Sequence, residues 1–392
     1  MSFYQLPRTN IFTYKHIDCK PNWKEPIFLS QSLSKFLLTM KEKITTKEKQ
    51  WDTFKKYTNP FEYIHTHVPN KKKSVSKHKP LSRSFFKMVE IMHTFNIQFS
   101  HPIRAFHLAE GPGGFIEALL TLRKCPDDIY IGMTLLDDNK EDMNIPAWKK
   151  SEYFLKSHTN VFLEHGKDDT GNILSLENFE YVINKYPEKM DIITADGGFN
   201  FSVDFNQQEI LIGKLLFAQI AFAVCMQKQR GTFILKVFDC FMQHTADLLY
   251  LLSSFYEKVY IMKPNTSRYA NSEKYIICIG FLYDSSAPLY SHFFAGFESM
   301  TLCDDVSPLR FLNIEIPDFF TKKLEEYNAI FGQKQIQNIH YTLSLLSNKM
   351  KTDKIDTLIQ TNVQKSIDWC NRFHVPFNKL NTPINIFLQG EA

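Results

Sequence analysis

The sequence predicts an α/β fold with a seven-stranded, mostly parallel sheet, an antiparallel last strand and helical additions at both ends. From about Ser84 to Leu282, short apolar runs alternate with longer segments of helical periodicity. The runs are continuously apolar, which is typical of parallel strands covered by helices on both faces. The last two runs are joined by too few residues for a crossover helix, so the final strand is expected to be antiparallel.

Seven strands are predicted. In chain order they are RAFHLA, DIYIGMTL, NVFLEHG, MDIITAD, GTFILKVF, KVYIMK and KYIICIGFL. Helices are predicted between them, and the clearest are GFIEALLTLRK, LENFEYVINKY, QEILIGKLLFAQIAFAVCMQ and TADLLYLLSSFY. Only PNTSRYANSE separates the last two strands.

Three regions are expected along the chain. Residues 1–80 form an irregular extension with no obvious sheet pattern, residues 81–285 hold the sheet, and residues 286–392 are mostly helical. In the last region IQNIHYTLSLL places its Ile and Leu residues on one stripe. We expect this stripe to pack on the sheet domain or the N-terminal segment; contact with a partner protein is the alternative.

Composition limits the function classes. Of 392 residues, 44% are hydrophobic, as in a folded protein, and the net charge of +4 is too small by itself to indicate a nucleic-acid partner. The seven cysteines show no CxxC pair, which favours reduced thiols over disulfides or a zinc site. The N-terminus does not resemble a signal peptide, and the apolar run LLFAQIAFAVCM is short for a membrane span. We expect a soluble, intracellular protein with no membrane contact, in the cytoplasm (a virus factory or virion included) or the nucleus.

A glycine turn stands between the first predicted strand and the helix after it. It reads AEGPGGFIEAL, with glycines at 111, 113 and 114. Glycine lets the backbone approach a ligand closely, and a helix start offers N–H groups to an anion. The pattern is neither GxGxxG nor a Walker motif, which leaves an adenosine-bearing ligand with its own carboxylate, such as S-adenosylmethionine. Its ribose would lie near Asp137 and Asp138; a tight turn without a ligand is the alternative.

Four charged residues are expected near the carboxyl ends of the strands, where open α/β sheets bind ligands. Asp196 ends a strand, and Lys236 lies within an apolar strand, where an unpaired lysine is costly. Glu273 begins the last strand, and Lys87 lies on the helix before the glycine turn. Singly, each has a plain explanation as a cap, a snorkelling lysine or a solvated charge.

Taken in order, these residues and the glycine turn make the sequence resemble the FtsJ-like (RrmJ-like) ribose 2′-O-methyltransferases. The similarity is greatest to the cap-specific mRNA enzymes of eukaryotes and large DNA viruses. The matching stretches, within residues 59–282, are NPFEYI, SRSFFKMVEI, LAEGPGGFIEALL, IGMTL, TADGGFN, QQEILIGKLLFAQ, GTFILKVFD and KPNTSRYANSEKYIICIGF. The resemblance implies a Rossmann-like fold, S-adenosylmethionine as cofactor with S-adenosylhomocysteine as product, no metal, and a capped RNA substrate.

The resemblance also implies site residues. The family's catalytic tetrad falls on Lys87, Asp196, Lys236 and Glu273. Its cofactor turn falls on Gly111, Pro112, Gly113, Gly114 and Phe115, and its adenine-contacting acid falls on Asn172. The expected cofactor-binding residues also include Glu110, Asp137 and Asp196. Asn172 departs from the pattern, because many members have Asp there; an amide can still hydrogen-bond to adenine.

A ribose hydroxyl is a poor nucleophile until a base removes its proton. Free lysine has a pKa of about 10.4, so a lysine base near neutral pH needs a depression of roughly 2 to 3 units. Burial and a second ammonium lower a lysine pKa. We therefore interpret Lys236 as the base, Lys87 as the neighbouring cation, and Asp196 and Glu273 as orienting groups.

RNA contacts are predicted from local charge. Between Val68 and Met88 there are seven Lys or Arg and no acid, which favours phosphate contact over a merely solvated loop. The expected RNA-binding residues are Lys71, Lys72, Lys73, Lys77, Arg83, Lys263, Ser267 and Arg268. For a methylated guanine, the N-terminal region offers Tyr57, Phe61, Glu62 and Tyr63. The alternatives are a ribose methyltransferase for uncapped ribosomal or transfer RNA, and a catalytically silent RNA-binding scaffold.

Overall fold

The structure is a computed structural model that describes residues 2–9, 12–21, 26–136, 145–198, 208–303, 309–347 and 352–380. The chain begins with short strands and two helices before it enters the main sheet. These elements are β1 (Ser2–Gln5), β2 (Ile17–Pro21), α1 (Gln31–Thr45) and α2 (Glu48–Tyr57). Short 3-10 helices occur at Thr13–His16 and Glu62–Ile64.

The middle of the chain alternates helices and strands. In order these are α3 (Ser84–Thr94), β3 (Arg104–Leu108), α4 (Gly114–Arg123), β4 (Ile129–Met133), α5 (Glu152–Ser157), β5 (Val161–Glu164), α6 (Leu176–Lys185), β6 (Met190–Ala195), α7 (Gln208–Met226), β7 (Gln227–Val237), α8 (Gln243–Phe255), β8 (Tyr256–Lys263) and β9 (Lys274–Phe281). Every residue of β6 is buried, as its unbroken apolar sequence predicts for a central strand. All seven predicted strands are therefore present.

The main sheet has eight strands in the order β1-β8-β9-β7-β6-β3-β4-β5, so the prediction of seven was wrong by one. The additional strand is β1, which pairs antiparallel with the edge of β8. As predicted, the last strand is antiparallel: β9 lies between β7 and β8 and runs opposite to both. A second strand of the N-terminal region, β2, whose sequence shows no obvious sheet pattern, pairs with a later strand, β10 (Leu309–Leu312).

The remaining helices are α9 (Ala287–Thr301), α10 (Asp318–Ser347) and α11 (Thr352–Arg372). Helix α10 packs on α1, α2 and α8, and α11 packs on α2 and the Glu62–Ile64 turn. The C-terminal helices thus contact the N-terminal segment and the sheet domain, as expected.

Two apolar cores fill the space between the sheet and its helices. One core joins the strands to α7, α8, α9 and part of α10, and the other joins them to α3, α4 and α11. Among the described residues, α7 alone has the length and apolar composition of a membrane span, but 83% of its apolar window is buried. It packs against β6, β7 and neighbouring helices, the position of a core helix.

Candidate active site

Four charged side chains meet at one edge of the main sheet. Asp196 directly follows β6 and Lys236 is near the end of β7, whose carboxyl ends lie together because the two strands are parallel. Glu273 directly precedes β9, which starts at this edge because it is antiparallel. Lys87 comes from the first turns of α3. The fold therefore brings together the four residues that the sequence placed far apart.

Two lysine–carboxylate pairs form the centre of this site. Lys87 Nζ lies 2.7 Å from Glu273 Oε1, and Lys236 Nζ lies 3.3 Å from Asp196 Oδ1. All four side chains are largely buried, with 8% to 17% of each exposed. Burial opposes ionisation of Glu273, but the charges of Lys87 and Lys236 outweigh it and lower its pKa strongly. Both lysines therefore lie close enough to act on one carboxylate.

Tyr275 is a further member of the site that the sequence reasoning missed. Its backbone lies directly opposite Lys236 in the β7–β9 pair, so both side chains extend from the same face. The Tyr275 hydroxyl donates to Asp196 Oδ1 at 2.8 Å, and its ring centre lies 5.8 Å from Lys87 Nζ. The available signal was its position two residues after Glu273 on one strand, where side chains share a face.

Each glycine of the turn has an identifiable structural reason. A side chain at Gly111 would overlap the carbonyl oxygen of Ala147, and one at Gly114 would overlap the hydroxyls of Ser82 and Ser84. Gly113 has φ of +106°, in the left-handed region that glycine adopts without strain. The turn is therefore packed tightly between two neighbouring loops.

Glu110 and Phe115 are buried residues at the two ends of the turn. The buried Glu110 carboxylate accepts hydrogen bonds from the backbone N–H groups of Phe115 and Ile116 and so caps α4. Burial and the nearby charge of Asp196 raise the pKa of Glu110. Phe115 is fully buried, and its ring centre lies 6.0 Å from that of Tyr275. Neither residue lines the cavity that lies beside the turn.

This cavity, of about 590 Å³, is lined by the glycine turn and by three of the four charged residues, Lys87, Asp196 and Lys236. Because the strand order is β7-β6-β3-β4-β5, Gly111 and Pro112, which follow β3, lie between Asp196 and Lys236 on one side and the loops after β4 and β5 on the other. Further lining comes from Arg83, Lys87, Thr134, Leu135, Ile145, Pro146, Asn172, Ile173 and Gly198. The volume falls within the usual range for a small-molecule site. The cavity could thus hold a nucleoside-sized ligand with one end beside Lys236.

Asn172 and Asp137 are two further residues that were predicted to contact the cofactor. Asn172 lines the cavity, and its Oδ1 accepts a hydrogen bond from the Leu174 N–H at 2.9 Å. Its amide nitrogen is the group that remains for a ligand acceptor. Asp137, and Asp138 beside it, lie outside the described residues.

Four of the predicted RNA-binding residues donate hydrogen bonds to other groups of the protein. Arg83 donates to the Thr266 carbonyl at 2.9 Å, and Ser267 donates to Glu273 Oε1 at 2.9 Å. Lys263 donates to the Glu273 carbonyl at 2.9 Å. Arg268 donates twice to the Glu62 carboxylate, at 3.0 and 2.6 Å. These contacts build the wall of the site around Glu273.

The remaining four lie on a loop, residues 68–79, which we call the basic loop. Lys72, Lys73 and Lys77 are exposed, and Lys71 is half-buried. The loop is held by the C-terminal segment: the Lys77 N–H donates to the Pro376 carbonyl, and Asn378 bonds to the backbone of residues 74–76. It therefore presents its lysines from a fixed backbone.

The structure does not support a guanine-binding role for two of the N-terminal candidates. Glu62 and Tyr63 are each only 1% exposed, and Glu62 is paired with Arg268. Within the described parts of the chain, no cluster of three or more His, Cys, Asp or Glu side chains could hold a metal ion.

Comparison with known proteins identifies the family to which the chain belongs. Residues 80–281 match the FtsJ-like methyltransferase family, and the chain belongs to that family. The chain is 33% identical over 246 residues to the cap-specific mRNA (nucleoside-2′-O-)-methyltransferase 1 of Trypanosoma cruzi, covering 60% of this chain and 64% of that protein. It is 27% identical over 390 residues to the cap-specific mRNA (nucleoside-2′-O-)-methyltransferase 2 of Danio rerio, covering 95% and 50%.

The chain thus spans about half to two thirds of the length of these relatives. Among solved structures, it is similar to a ribosomal RNA methyltransferase from Plasmodium falciparum, with a TM-score of 0.37 and 22% identity over 52% of this chain and 98% of that one. It is also similar to human methyltransferase-like protein 13 in complex with SAH, with a TM-score of 0.33 and 10% identity over 57% and 91%.

Proposed function

We propose that the protein is an S-adenosylmethionine-dependent ribose 2′-O-methyltransferase that acts on the first transcribed nucleotide of capped mRNA. The observation that carries this proposal is the two lysine–carboxylate pairs beside a nucleoside-sized cavity that the glycine turn also lines. Membership of the FtsJ-like family supports the reaction, and the names of the relatives support the capped substrate.

The lining of the cavity fits the cofactor. The backbone at Gly111 and Pro112 would hold the amino-acid end, and Thr134, Leu135 and Asn172 would hold the adenosine. S-adenosylmethionine supplies an electrophilic methyl group on a sulfonium and leaves as S-adenosylhomocysteine. This assignment orients the reacting end toward Asp196 and Lys236.

Lys236 and the residues around it remove the proton of the ribose 2′-hydroxyl group. Lys236 Nζ accepts the 2′-hydroxyl proton, so it must be neutral when the ribose is bound. Asp196 holds this amine from one side through its carboxylate and its backbone carbonyl, and Tyr275 fixes the same carboxylate. Glu273 keeps the Lys87 ammonium beside the reaction centre, where its charge stabilises the oxygen that loses the proton.

The catalytic part of the proposal is tested with Lys236→Ala. Loss of a general base costs typically 10²- to 10⁴-fold, so methyl transfer to RNA should fall by about that factor. Cofactor binding, measured by calorimetry, should change little because Lys236 lines only one end of the cavity. Lys258→Ala, an exposed lysine on β8 before the end that meets the site, is the control. Wild-type turnover in Lys236→Ala would remove Lys236 as the base.

The substrate is tested by radiolabelled methyl transfer to matched capped and uncapped short RNAs, followed by nuclease mapping of the modified ribose. The expected result is a labelled first nucleotide in capped RNA only. Equal transfer to both RNAs would favour a ribose methyltransferase for uncapped RNA.

We also propose that exposed lysines of the basic loop contact the RNA phosphates next to the site.

A further inference from the structure

A second cavity, of about 420 Å³, lies between α10 and the loop that precedes β9. Lys263, Asn265 and Tyr269 line it from β8 and the loop. Phe331, Lys334 and Tyr341 line it from α10. Helix α10 lies outside residues 80–281, the part shared with the FtsJ-like family. This cavity is therefore formed between the family domain and a helix that is added to it.

The second cavity lies at the same edge of the sheet as the four charged residues. Lys263 ends β8, the strand next to β9, and its ammonium donates to the backbone carbonyl of Glu273 at 2.9 Å. Two strand spacings, about 10 Å, separate β8 from β7, which carries Lys236. The cofactor cavity begins on the other side of Lys236, after β3 and β4. A polynucleotide with one ribose beside Lys236 can therefore reach the second cavity with a nearby nucleotide.

The lining combines the groups that bind a nucleotide. Tyr269 and Tyr341 are half-buried and offer aromatic surface, and Phe331 is buried. The Lys354 ammonium lies 5.3 Å from the Tyr341 ring centre, and Lys334 is exposed at the rim. Bases stack on such rings whatever their sequence, while lysines bind phosphate. The Lys263 ammonium donates to the carbonyl and Oδ1 of Asn271 and to the carbonyl of Glu273, so it can act on a phosphate here only through its charge.

We propose that this second cavity binds one nucleotide of the RNA substrate, with its base against the tyrosine rings and its phosphate near Lys334, where the charge of Lys263 adds to the attraction. The proposal rests on the proposed function only in that RNA reaches the site. The nucleotide has two possible sources with the same chemistry, the guanosine of a cap and a transcript nucleotide that flanks the methylated ribose.

The test compares Tyr341→Ala and Lys334→Ala with wild type, and uses Lys322→Ala, an exposed lysine elsewhere on α10, as the control. Each base-stacking ring should be worth about tenfold or more in RNA affinity. We expect the KM for RNA and the Kd from fluorescence anisotropy to rise about tenfold in Tyr341→Ala and less in Lys334→Ala, with kcat unchanged. Tyr341→Phe, which keeps the ring, should restore binding, and thermal unfolding checks that each variant folds.

Substrate length distinguishes the two sources. Weaker binding of a capped dinucleotide identifies the cap guanosine, and weaker binding confined to longer uncapped RNA identifies a transcript nucleotide. Unchanged affinity for every RNA in both variants would overturn the second cavity as a nucleotide site. Failure of the proposed function would be seen separately, as absence of methyl transfer by the wild-type protein.

Discussion

At the scale of residues, two buried carboxylates hold the loop that precedes Glu273. Glu90 accepts hydrogen bonds from the N–H groups of Asn265 and Thr266, at 2.8 and 3.1 Å. Glu62 holds Arg268 further along the same loop. Between them Ser267 donates to Glu273. The position of Glu273 beside Lys87 thus depends on side chains that never reach the reaction centre.

Tyr275 provides the sharpest residue-scale prediction about chemistry. Tyr275→Phe removes the hydroxyl that donates to Asp196 but keeps the ring beside Lys87. Since a hydrogen bond to a charged group contributes about 1.5 to 3 kcal/mol, kcat should fall roughly ten- to hundredfold. The KM for S-adenosylmethionine should stay near its wild-type value, because Tyr275 is fully buried and does not line the cofactor cavity. Steady-state kinetics at saturating RNA measures both, and an unchanged kcat would contradict a role for this contact.

Glu62 should make part of the stability depend on pH. Burial opposes its ionisation, but the hydrogen bond from Arg268 and the charges of Arg83 and Arg268 lower its pKa from 4.5 to about 2. A lowered folded-state pKa stabilises the fold above pH 4.5, by about 3 kcal/mol at pH 7, and this contribution is lost as the pH falls toward 2. The free energy of unfolding of wild type should therefore exceed that of Glu62→Gln by about 2 kcal/mol more at pH 7 than at about pH 3.

The measurement is urea unfolding of both proteins across this pH range. Glu326→Gln, in which an exposed carboxylate is neutralised, is the control and should follow the wild-type curve. A constant difference between wild type and Glu62→Gln at all pH values would mean that the pKa of Glu62 is not lowered in the fold.

At the scale of elements, the glycine turn and the basic loop are both fixed by segments distant in the sequence. The turn fits against Ser82, Ser84 and Ala147, and the basic loop bonds to the C-terminal segment through Asn378. The sequence indicated that each stretch was unusual, through its glycines or its lysines. It could not indicate the segments that pack against them, because those contacts join residues far apart in the chain.

The basic loop should contribute to the salt dependence of RNA binding. Changing Lys71, Lys72 and Lys73 to Gln removes up to three phosphate contacts, which should lower the slope of log Kd against log salt by about 2 for single-stranded RNA. The matched control changes the exposed lysines 156, 258 and 322 to Gln. Fluorescence anisotropy titrations at several salt concentrations measure the slope. The same slope in wild type and the loop variant would count against phosphate contact by these lysines.

At the scale of the whole molecule, the sequence predicted the seven strands of the family domain because their apolar runs are continuous. It missed β1 because SFYQ is too short to show a period and becomes a strand only by pairing with β8. It offered Glu62 as a candidate for guanine binding because a buried carboxylate is expected only when its cationic partner is known. That partner, Arg268, follows about 200 residues later.

The regions outside residues 80–281 are part of the same folded unit, and this leads to a prediction for the isolated family domain. Helix α3 shares an apolar core with Tyr63 and Ile64 from the N-terminal region and with Trp369 and Phe373 from α11, and its Phe86 ring contacts the Trp369 ring. On the other face of the sheet, the core that contains α7 and α8 extends into α9, β10 and α10. Removal of residues 1–79 and 282–392 would uncover apolar surface on both faces and leave the edge of β8 unpaired.

A fragment of about 200 residues is long enough to fold, so any failure must come from this uncovered surface rather than from size. We expect the full chain to unfold in one cooperative thermal transition. The 80–281 fragment should aggregate, or bind a hydrophobic dye without a cooperative transition. Calorimetry and dye binding on both proteins decide the matter. A fragment that unfolds cooperatively within a few degrees of the full chain would show that the N- and C-terminal regions are additions to an independently stable domain.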